Sequence, residues 1–95
     1  MSWNMERKRN RLEVIRDILQ VIRNKNGRVK PTHILYKSNL SHTMMKEYIK
    51  ELIDKKFITE ENIEKGRTYR MTEKGEKYLA DYSKLTGFMD SFGLS

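Results

Sequence analysis

The sequence predicts an α+β fold that is mostly α-helical. Three patterns predict it: apolar residues recur at helical spacing through Asn39–Ile58, a shorter helical pattern begins before them at Pro31, and an alternating segment with a central glycine follows them. A helix, a tight turn, an amphipathic helix and a β-hairpin in this order are typical of a winged helix-turn-helix. We therefore predict a winged helix-turn-helix that is completed by a C-terminal dimerisation helix.

The composition indicates one small domain. The chain has 95 residues, of which 37% are hydrophobic and 35% charged, a balance typical of a small helical binding protein rather than a rigid enzyme. It has no cysteine, which excludes disulfides and thiolate metal sites. Since no apolar run is long enough for a membrane span and no signal-peptide core follows Met1, we expect no membrane partner and a cytoplasmic location.

The positive charge is concentrated near the start of the chain. Residues 1–30 contain nine Lys/Arg and three Asp/Glu, a net of +6, whereas residues 31–95 contain eleven and ten, a net of +1. A basic arm at residues 1–10, with Arg7, Lys8 and Arg9 adjacent, indicates a phosphate-bearing partner. RNA, an anionic membrane or a need for solubility alone would give the same balance.

The first helix is predicted from about Arg11 to Asn26, with Gly27 as its stop. It carries two neighbouring apolar stripes: Leu12, Ile15, Leu19 and Ile22, and then Val14, Ile18 and Val21. A helix apolar over so wide an arc is covered on two sides, by its own domain and by another chain. Arg28–Lys30 follows as a short first strand.

The second and third helices form the predicted helix-turn-helix. Pro31 suits the first turn of the second helix, which ends near Ser38, and Ser41 caps the third. The third helix buries a stripe made of Met45, Tyr48, Ile49, Leu52 and Ile53, with the stem of Lys56 completing it. Its opposite face consists of Thr43, Lys46, Glu47, Lys50 and Asp54.

The alternating segment predicts the β-hairpin of the wing. Alternation over residues 57–62 resumes at 68–71, and the turn Glu64–Arg67 contains Gly66, which is free to adopt a positive φ. Because a two-stranded hairpin is marginal alone, its apolar face is expected to pack on the first and third helices.

The last helix is predicted to start after a Thr72 cap. Tyr78, Tyr82, Leu85, Met89 and Phe92 are spaced by 4, 3, 4 and 3 residues, which is a heptad seam. The seam predicts a helix that runs through Gly87 to about Phe92 and pairs two chains. The alternative is a helix that ends at Thr86, with the tail folded onto its own core. We divide the chain into the basic arm (1–10), the winged helix (11–72) and the dimerisation helix with its tail (73–95).

Two segments carry a family resemblance. Ile34–Ile58 and Thr68–Leu79 resemble the archaeal winged helix-turn-helix DNA-binding family, which includes crenarchaeal ten-kilodalton chromatin-associated proteins and small archaeal or viral transcription regulators. The most specific pieces are YKSNLS and TEKG, although TEKG also occurs in bacterial winged-helix repressors. The resemblance implies a dimer, which chromatin-type members form through an antiparallel coiled coil of the last helix.

The resemblance and the charge together predict a homodimeric transcriptional regulator that binds double-stranded DNA. The third helix would enter the major groove, and the wing would contact the adjacent backbone or minor groove. The residues expected at the DNA are Ser41, His42, Thr43, Lys46, Glu47 and Lys50 on the third helix, Lys37 on the second, Lys65, Arg67 and Arg70 on the wing, and Arg7, Lys8, Arg9 and Arg11 near the arm. Glu47 either selects a cytosine amino group or pairs with Lys50 in solvent.

Three other functions compete with this prediction. A chromatin or nucleoid protein of the same fold would bind any duplex. A protein-interaction module would need a more apolar exposed face on the third helix. An enzyme is not expected, because the chain shows no acid–base pair, no phosphate-cradling glycine loop and no metal-ligand cluster; His33 and His42 without cysteine argue against a metal site. We therefore expect no cofactor and no small-molecule ligand. The predicted DNA binding implies a nucleoid-associated location.

Overall fold

The computed structural model describes residues 9–25 and 28–94, and the predicted mostly helical α+β fold is confirmed. Within these residues the order of elements is α1 (Arg11–Asn24), α2 (Pro31–Ser38), α3 (His42–Asp54), β1 (Ile58–Ile63), β2 (Gly66–Met71) and α4 (Glu73–Ser91). No helix in this part of the chain is both long enough and apolar enough to cross a membrane.

Helix α1 supplies the centre of the core. Its start is fixed by a capping box, in which the Glu13 N–H donates to Asn10 Oδ1 (2.8 Å) and the Asn10 N–H donates to Glu13 Oε1 (2.9 Å). In the predicted apolar arc, Leu12 is half exposed and Val21 is partly buried, and the other side chains are buried. The helix ends at Asn24, two residues earlier than predicted; the expected stop at Gly27 lies outside the described residues.

The helix-turn-helix has the predicted caps. Helix α2 ends at Ser38, and the φ of +54° at Asn39, its C-cap, reverses the chain. The Leu40 N–H then donates to the Leu35 carbonyl (3.4 Å). Ser41 Oγ then accepts from the Met44 N–H (3.1 Å), which confirms Ser41 as the cap of α3. The turn is therefore short, and it fixes the angle between the two helices.

Helix α3 buries Met45, Ile49 and Leu52 as predicted, but it ends before Lys56. Lys56 is exposed with a φ of +69°, so the prediction that its stem completes the apolar stripe is wrong. Its N–H donates to the Ile53 carbonyl (3.0 Å), and the Phe57 N–H donates to the Leu52 carbonyl (2.9 Å). This pair of bonds is a Schellman motif, which ends the helix and turns the chain into β1.

The wing is an antiparallel hairpin whose register runs from Ile58 opposite Met71 to Ile63 opposite Gly66. Gly66 adopts the expected positive φ (+122°), and the loop is only Glu64 and Lys65. β1 contacts α3 and β2 contacts α1, as predicted. The first strand predicted at Arg28–Lys30 is reduced to one isolated bridge between Val29 and Tyr69.

Helix α4 starts at a tight junction with the end of α3. Thr72 Oγ1 caps it by accepting from the Gly75 N–H (3.1 Å), and the same hydroxyl donates to the Phe57 carbonyl (2.9 Å). A Cβ at Gly75 would lie 2.4 Å from the Phe57 carbonyl oxygen, so this close approach requires glycine.

The second half of α4 extends past the core. The helix continues through Gly87 to Ser91, one residue short of the prediction, and the alternative end at Thr86 is wrong. Phe88 and Phe92 leave 58% and 64% of their surface exposed. The chain therefore presents aromatic side chains on a regular helix that its own domain does not cover.

Candidate nucleic-acid interface

A groove of about 680 Å³ lies between α3 and the hairpin. Its apolar lining includes Ile49, Ile53 and Tyr69, and most of its other lining side chains are polar or charged. Five of the residues predicted at the DNA line this α3–wing groove: His42, Lys46, Glu47, Lys50 and Arg67. Two distant segments of the sequence thus place their charged residues around one concave surface.

The first turn of α3 stands open beside the groove. Ser41, His42 and Thr43 are all exposed. The N-terminus of a helix carries partial positive charge, because its first N–H groups lack partners within the helix. This end can therefore approach an anion or the edge of a base without prior unfolding.

Acidic residues neutralise part of the groove. Lys50 Nζ lies 3.4 Å from Asp54 Oδ2, and Arg67 Nε lies 3.2 Å from Glu60 Oε2. Helix α3 carries two lysines and three acids, a net charge of −1, and the hairpin carries three basic and three acidic residues, a net of 0. Exposed pairs of this kind are weak, so an incoming phosphate can compete for the cation.

Tyr69 connects the wing to the floor of the groove. Burial, and then the charge of Glu60, raise the pKa of the Tyr69 phenol above its ordinary value. The phenol therefore stays protonated at neutral pH. Tyr69 was not among the residues predicted at the DNA from the sequence. Its place on the apolar face of the hairpin is the pattern that could have indicated its role in the groove.

Three other predicted cations lie outside the groove. Lys37 is exposed on α2, and Lys65 is exposed in the hairpin loop. Arg70 is three positions from Arg67 on the same strand and therefore points to the opposite face of the hairpin, where its Nη2 lies 3.5 Å from Glu61 Oε1.

Arg9, which is partly buried, is held against its own domain. Its Nη1 donates to Asp17 Oδ2 (2.6 Å), and its Nη2 donates to the carbonyl oxygens of Ser38 (2.7 Å) and Asn39 (3.3 Å). Asp17 also accepts from Arg16 Nε (2.7 Å). Arg9 therefore ties α1 to the turn that precedes α3.

Arg11 is also engaged within the domain. It pairs with Glu51 of α3, and its guanidinium lies 5.9 Å from the centre of the Tyr48 ring. These contacts lie on the side of α3 that faces α1. The other two arm residues predicted at phosphates, Arg7 and Lys8, lie outside the described residues.

The predicted dimer seam divides into two parts. The Tyr78 hydroxyl donates to the Leu12 carbonyl (2.8 Å), and the Tyr82 ring lies 5.2 Å from the Arg16 guanidinium, so both tyrosines pack on their own domain. Further along α4, a second group of apolar side chains faces away from the core. We call this group, which consists of Leu85, Phe88, Met89 and Phe92, the C-terminal apolar stripe. Met89 is half-buried, and the other three side chains are exposed. Phe88 was not part of the seam read from the sequence.

No group of three or more His, Asp or Glu side chains within residues 9–25 and 28–94 is arranged to hold a metal ion.

Comparison with known families identifies the class of protein. Residues 8–89 match the winged helix-turn-helix family model, so the chain belongs to the winged helix-turn-helix family. A comparison with curated protein sequences gave no match.

Solved structures of similar fold come from several sources. Sso10a-2, a DNA-binding protein from Sulfolobus solfataricus, is 17% identical with a TM-score of 0.76; the alignment covers 88% of this chain and 85% of Sso10a-2. F93 from STIV, a winged-helix DNA-binding protein, is 26% identical with a TM-score of 0.67 and coverages of 83% and 91%. The transcriptional regulator SlyA is 15% identical with a TM-score of 0.68 and coverages of 99% and 65%. These similarities and the family match confirm the resemblance inferred from the sequence.

Proposed function

We propose that this protein binds double-stranded DNA and regulates transcription, with α3 in the major groove and the wing on the adjacent backbone or minor groove. The observation that carries the proposal is the α3–wing groove, where the open first turn of α3 and the charged residues of two elements share one surface. An α-helix fits the width of the major groove. The DNA-binding descriptions of Sso10a-2 and F93 support the same function.

The proposed contacts follow the geometry of the groove. Ser41, His42 and Thr43 approach base edges; Lys46 and Lys50 reach phosphate or guanine, and Glu47 accepts from a cytosine amino group.

Contacts outside the α3–wing groove go to the DNA backbone. Lys65 and Arg67 contact the backbone beside the wing, and Lys37 contacts phosphate from α2. Arg70 would reach phosphate only from the other side of the hairpin. Arg7 and Lys8 stay predicted phosphate contacts, whereas we assign Arg9 and Arg11 to holding α1 against the helix-turn-helix.

We further propose that two copies pair through α4. The C-terminal apolar stripe supports this, because exposed aromatic residues on a regular helix are a surface that a second copy can bury. The 19 residues of α4 span about 28 Å. Such a pair would hold two copies of α3 on one duplex.

A second candidate is a chromatin or nucleoid protein that binds any sequence. The distribution of charge favours it, since all of the net positive charge lies outside α3 and the wing. Contacts to phosphate carry affinity without sequence information.

The test is a selection from random duplexes, followed by sequencing, at low and high salt. An enriched motif retained at high salt supports the regulator; equal, salt-sensitive binding of all duplexes supports the nucleoid protein. The groove is tested with Lys46→Ala/Lys50→Ala/Arg67→Ala against a control that removes the same charge elsewhere, Lys56→Ala/Lys77→Ala/Lys84→Ala. Undiminished binding by the folded groove variant would contradict the proposed interface.

A further inference from the structure

Four cations lie in the connection between α1 and α2 or on α2 itself. Lys25, Arg28, Lys30 and Lys37, which we call the basic linker group, are all exposed. None of them forms an ion pair with a carboxylate of residues 9–25 or 28–94, whereas Lys50 and Arg67 of the groove both do. Unpaired cations keep their full attraction for an anion.

Two members of the basic linker group, Arg28 and Lys30, lie at the edge of the α3–wing groove. Val29, between Arg28 and Lys30, is buried, and its carbonyl accepts from the Tyr69 N–H (3.3 Å). Tyr69 lines the groove, and so does Pro31, which directly follows Lys30. The backbone therefore places Arg28 and Lys30 beside the groove, next to the strand that forms its wall.

His33 lies within electrostatic reach of the other two cations. Burial, and then the charges of Lys25 and Lys37, lower the pKa of the His33 imidazole. Lys25 follows the end of α1, and Lys37 lies in the last turn of α2. The positive potential at His33 thus comes from both helices.

We propose that Lys25, Arg28 and Lys30 extend the phosphate contact of Lys37 into a second phosphate-binding surface, which binds the backbone of the same duplex where it leaves the α3–wing groove. The inference rests on the proposed function. With a net charge of −1 on α3 and 0 on the hairpin, those two elements attract a polyanion weakly. The linker cations supply the electrostatic part of the affinity, and α3 supplies the base contacts.

The first test compares two variants that lose the same charge. Arg28→Gln/Lys30→Gln changes the basic linker group, and Lys77→Gln/Lys84→Gln changes α4, outside both surfaces. Binding of a labelled random-sequence duplex is measured by fluorescence anisotropy between about 50 and about 200 mM salt. The slope of log affinity against log salt should become shallower by about 1.8 in the linker variant, since each lost phosphate contact removes about 0.9, and it should stay unchanged in the α4 variant.

The outcomes separate this inference from the proposed function. An unchanged slope in the linker variant, together with lost binding in Lys46→Ala/Lys50→Ala/Arg67→Ala, would overturn the inference and leave the proposed function intact. A wild-type protein that binds no duplex would overturn both.

A second test needs no variant of the linker. The imidazole signals of His33 and His42 report on the two surfaces separately in proton NMR spectra of the wild-type protein. On adding duplex, the His42 signals should shift, and the pKa of His33 should rise because a phosphate offsets the charges of Lys25 and Lys37. Shifted His42 signals with an unchanged His33 would overturn the inference.

Discussion

Arg9 reaches the Ser38 carbonyl across 29 positions of the chain. In the sequence it stands beside Arg7 and Lys8, and adjacency alone gives all three the same expected role at phosphates. The contact depends on how α1 packs against α2, which no local spacing encodes. At the scale of single residues, sequence therefore predicts which side chains are charged but not which charges the fold uses for itself.

The first prediction concerns the partner of Arg9. Asp17→Asn should lower duplex affinity a few-fold, because Arg9 loses its ion pair and the turn before α3 becomes less ordered. This loss is expected even though the substitution removes a negative charge. The free energy of unfolding should fall by about 1 kcal/mol. Affinity is measured well below the unfolding temperature, with Asp81→Asn as the charge-matched control on α4. A rise in affinity would mean that Asp17 acts only as a repulsive charge.

The salt dependence of an Arg9 variant tests the same assignment. A phosphate-contacting Arg9 would make the slope of log affinity against log salt shallower by about 0.9 when changed to Gln, and an Arg9 that only ties α1 to the turn would leave the slope unchanged. We expect Arg9→Gln to weaken binding with the slope of the wild-type protein.

The second prediction concerns the acid that pairs with Arg67. Glu60→Gln should raise duplex affinity by about two- to fivefold, because it frees the Arg67 guanidinium and removes a charge that repels phosphate. The matched control is Glu61→Gln, which frees Arg70 on the other face of the hairpin. Equal gains in both variants would mean that only net charge matters.

At the scale of whole elements, periodicity and capping residues predicted the structure well. Ser41 and Thr72 begin their helices as expected, and the alternation around Gly66 forms the wing. Local sequence determines these features. The errors lie where tertiary packing decides: Val29 makes a single bridge with Tyr69 instead of forming the predicted strand.

The third prediction concerns the end of α3. Lys56 adopts a left-handed conformation (φ +69°), which costs a residue with a Cβ about 1–2 kcal/mol. Glycine would avoid this cost, but its greater conformational freedom in the unfolded chain would offset part of the gain. Lys56→Gly should therefore raise the free energy of unfolding by about 0.5–1 kcal/mol, measured by urea denaturation. Asn39→Gly is the comparison, with a smaller gain because asparagine tolerates φ +54°. A loss of stability in Lys56→Gly would show that the lysine side chain itself stabilises the turn.

At the scale of the molecule, the candidate site could be predicted only in part from the sequence. The exposed face of α3 and the tip of the wing followed from helical and strand periods. The apolar floor of the groove did not, because Ile53 and Tyr69 belong to separate stripes that meet only once the hairpin folds against α3. That no acid within residues 9–25 and 28–94 pairs with the linker cations likewise depends on where the fold places those acids.

The fourth prediction concerns the assembly. Phe88→Glu/Phe92→Glu should convert the proposed dimer into a folded monomer, because the charges would have to be buried between the two copies of the C-terminal apolar stripe. Sedimentation velocity checks it. The control is Tyr36→Glu, which changes an aromatic residue that is 81% exposed on α2 and should leave the dimer intact. A monomeric wild-type protein would contradict the proposal.

The close contact at Gly75 has a consequence for how far apart two binding sites can be. Because there is no room for even one methyl group between Gly75 and the Phe57 carbonyl, the first turn of α4 packs directly on this segment, and the contact restricts rotation of α4 about the junction. In a dimer that pairs through α4, the distance between the two copies of α3 would then be fixed by the fold. Such a dimer would bind both half-sites of a duplex only at one spacing. At any other spacing, the second copy of α3 would not contact its half-site.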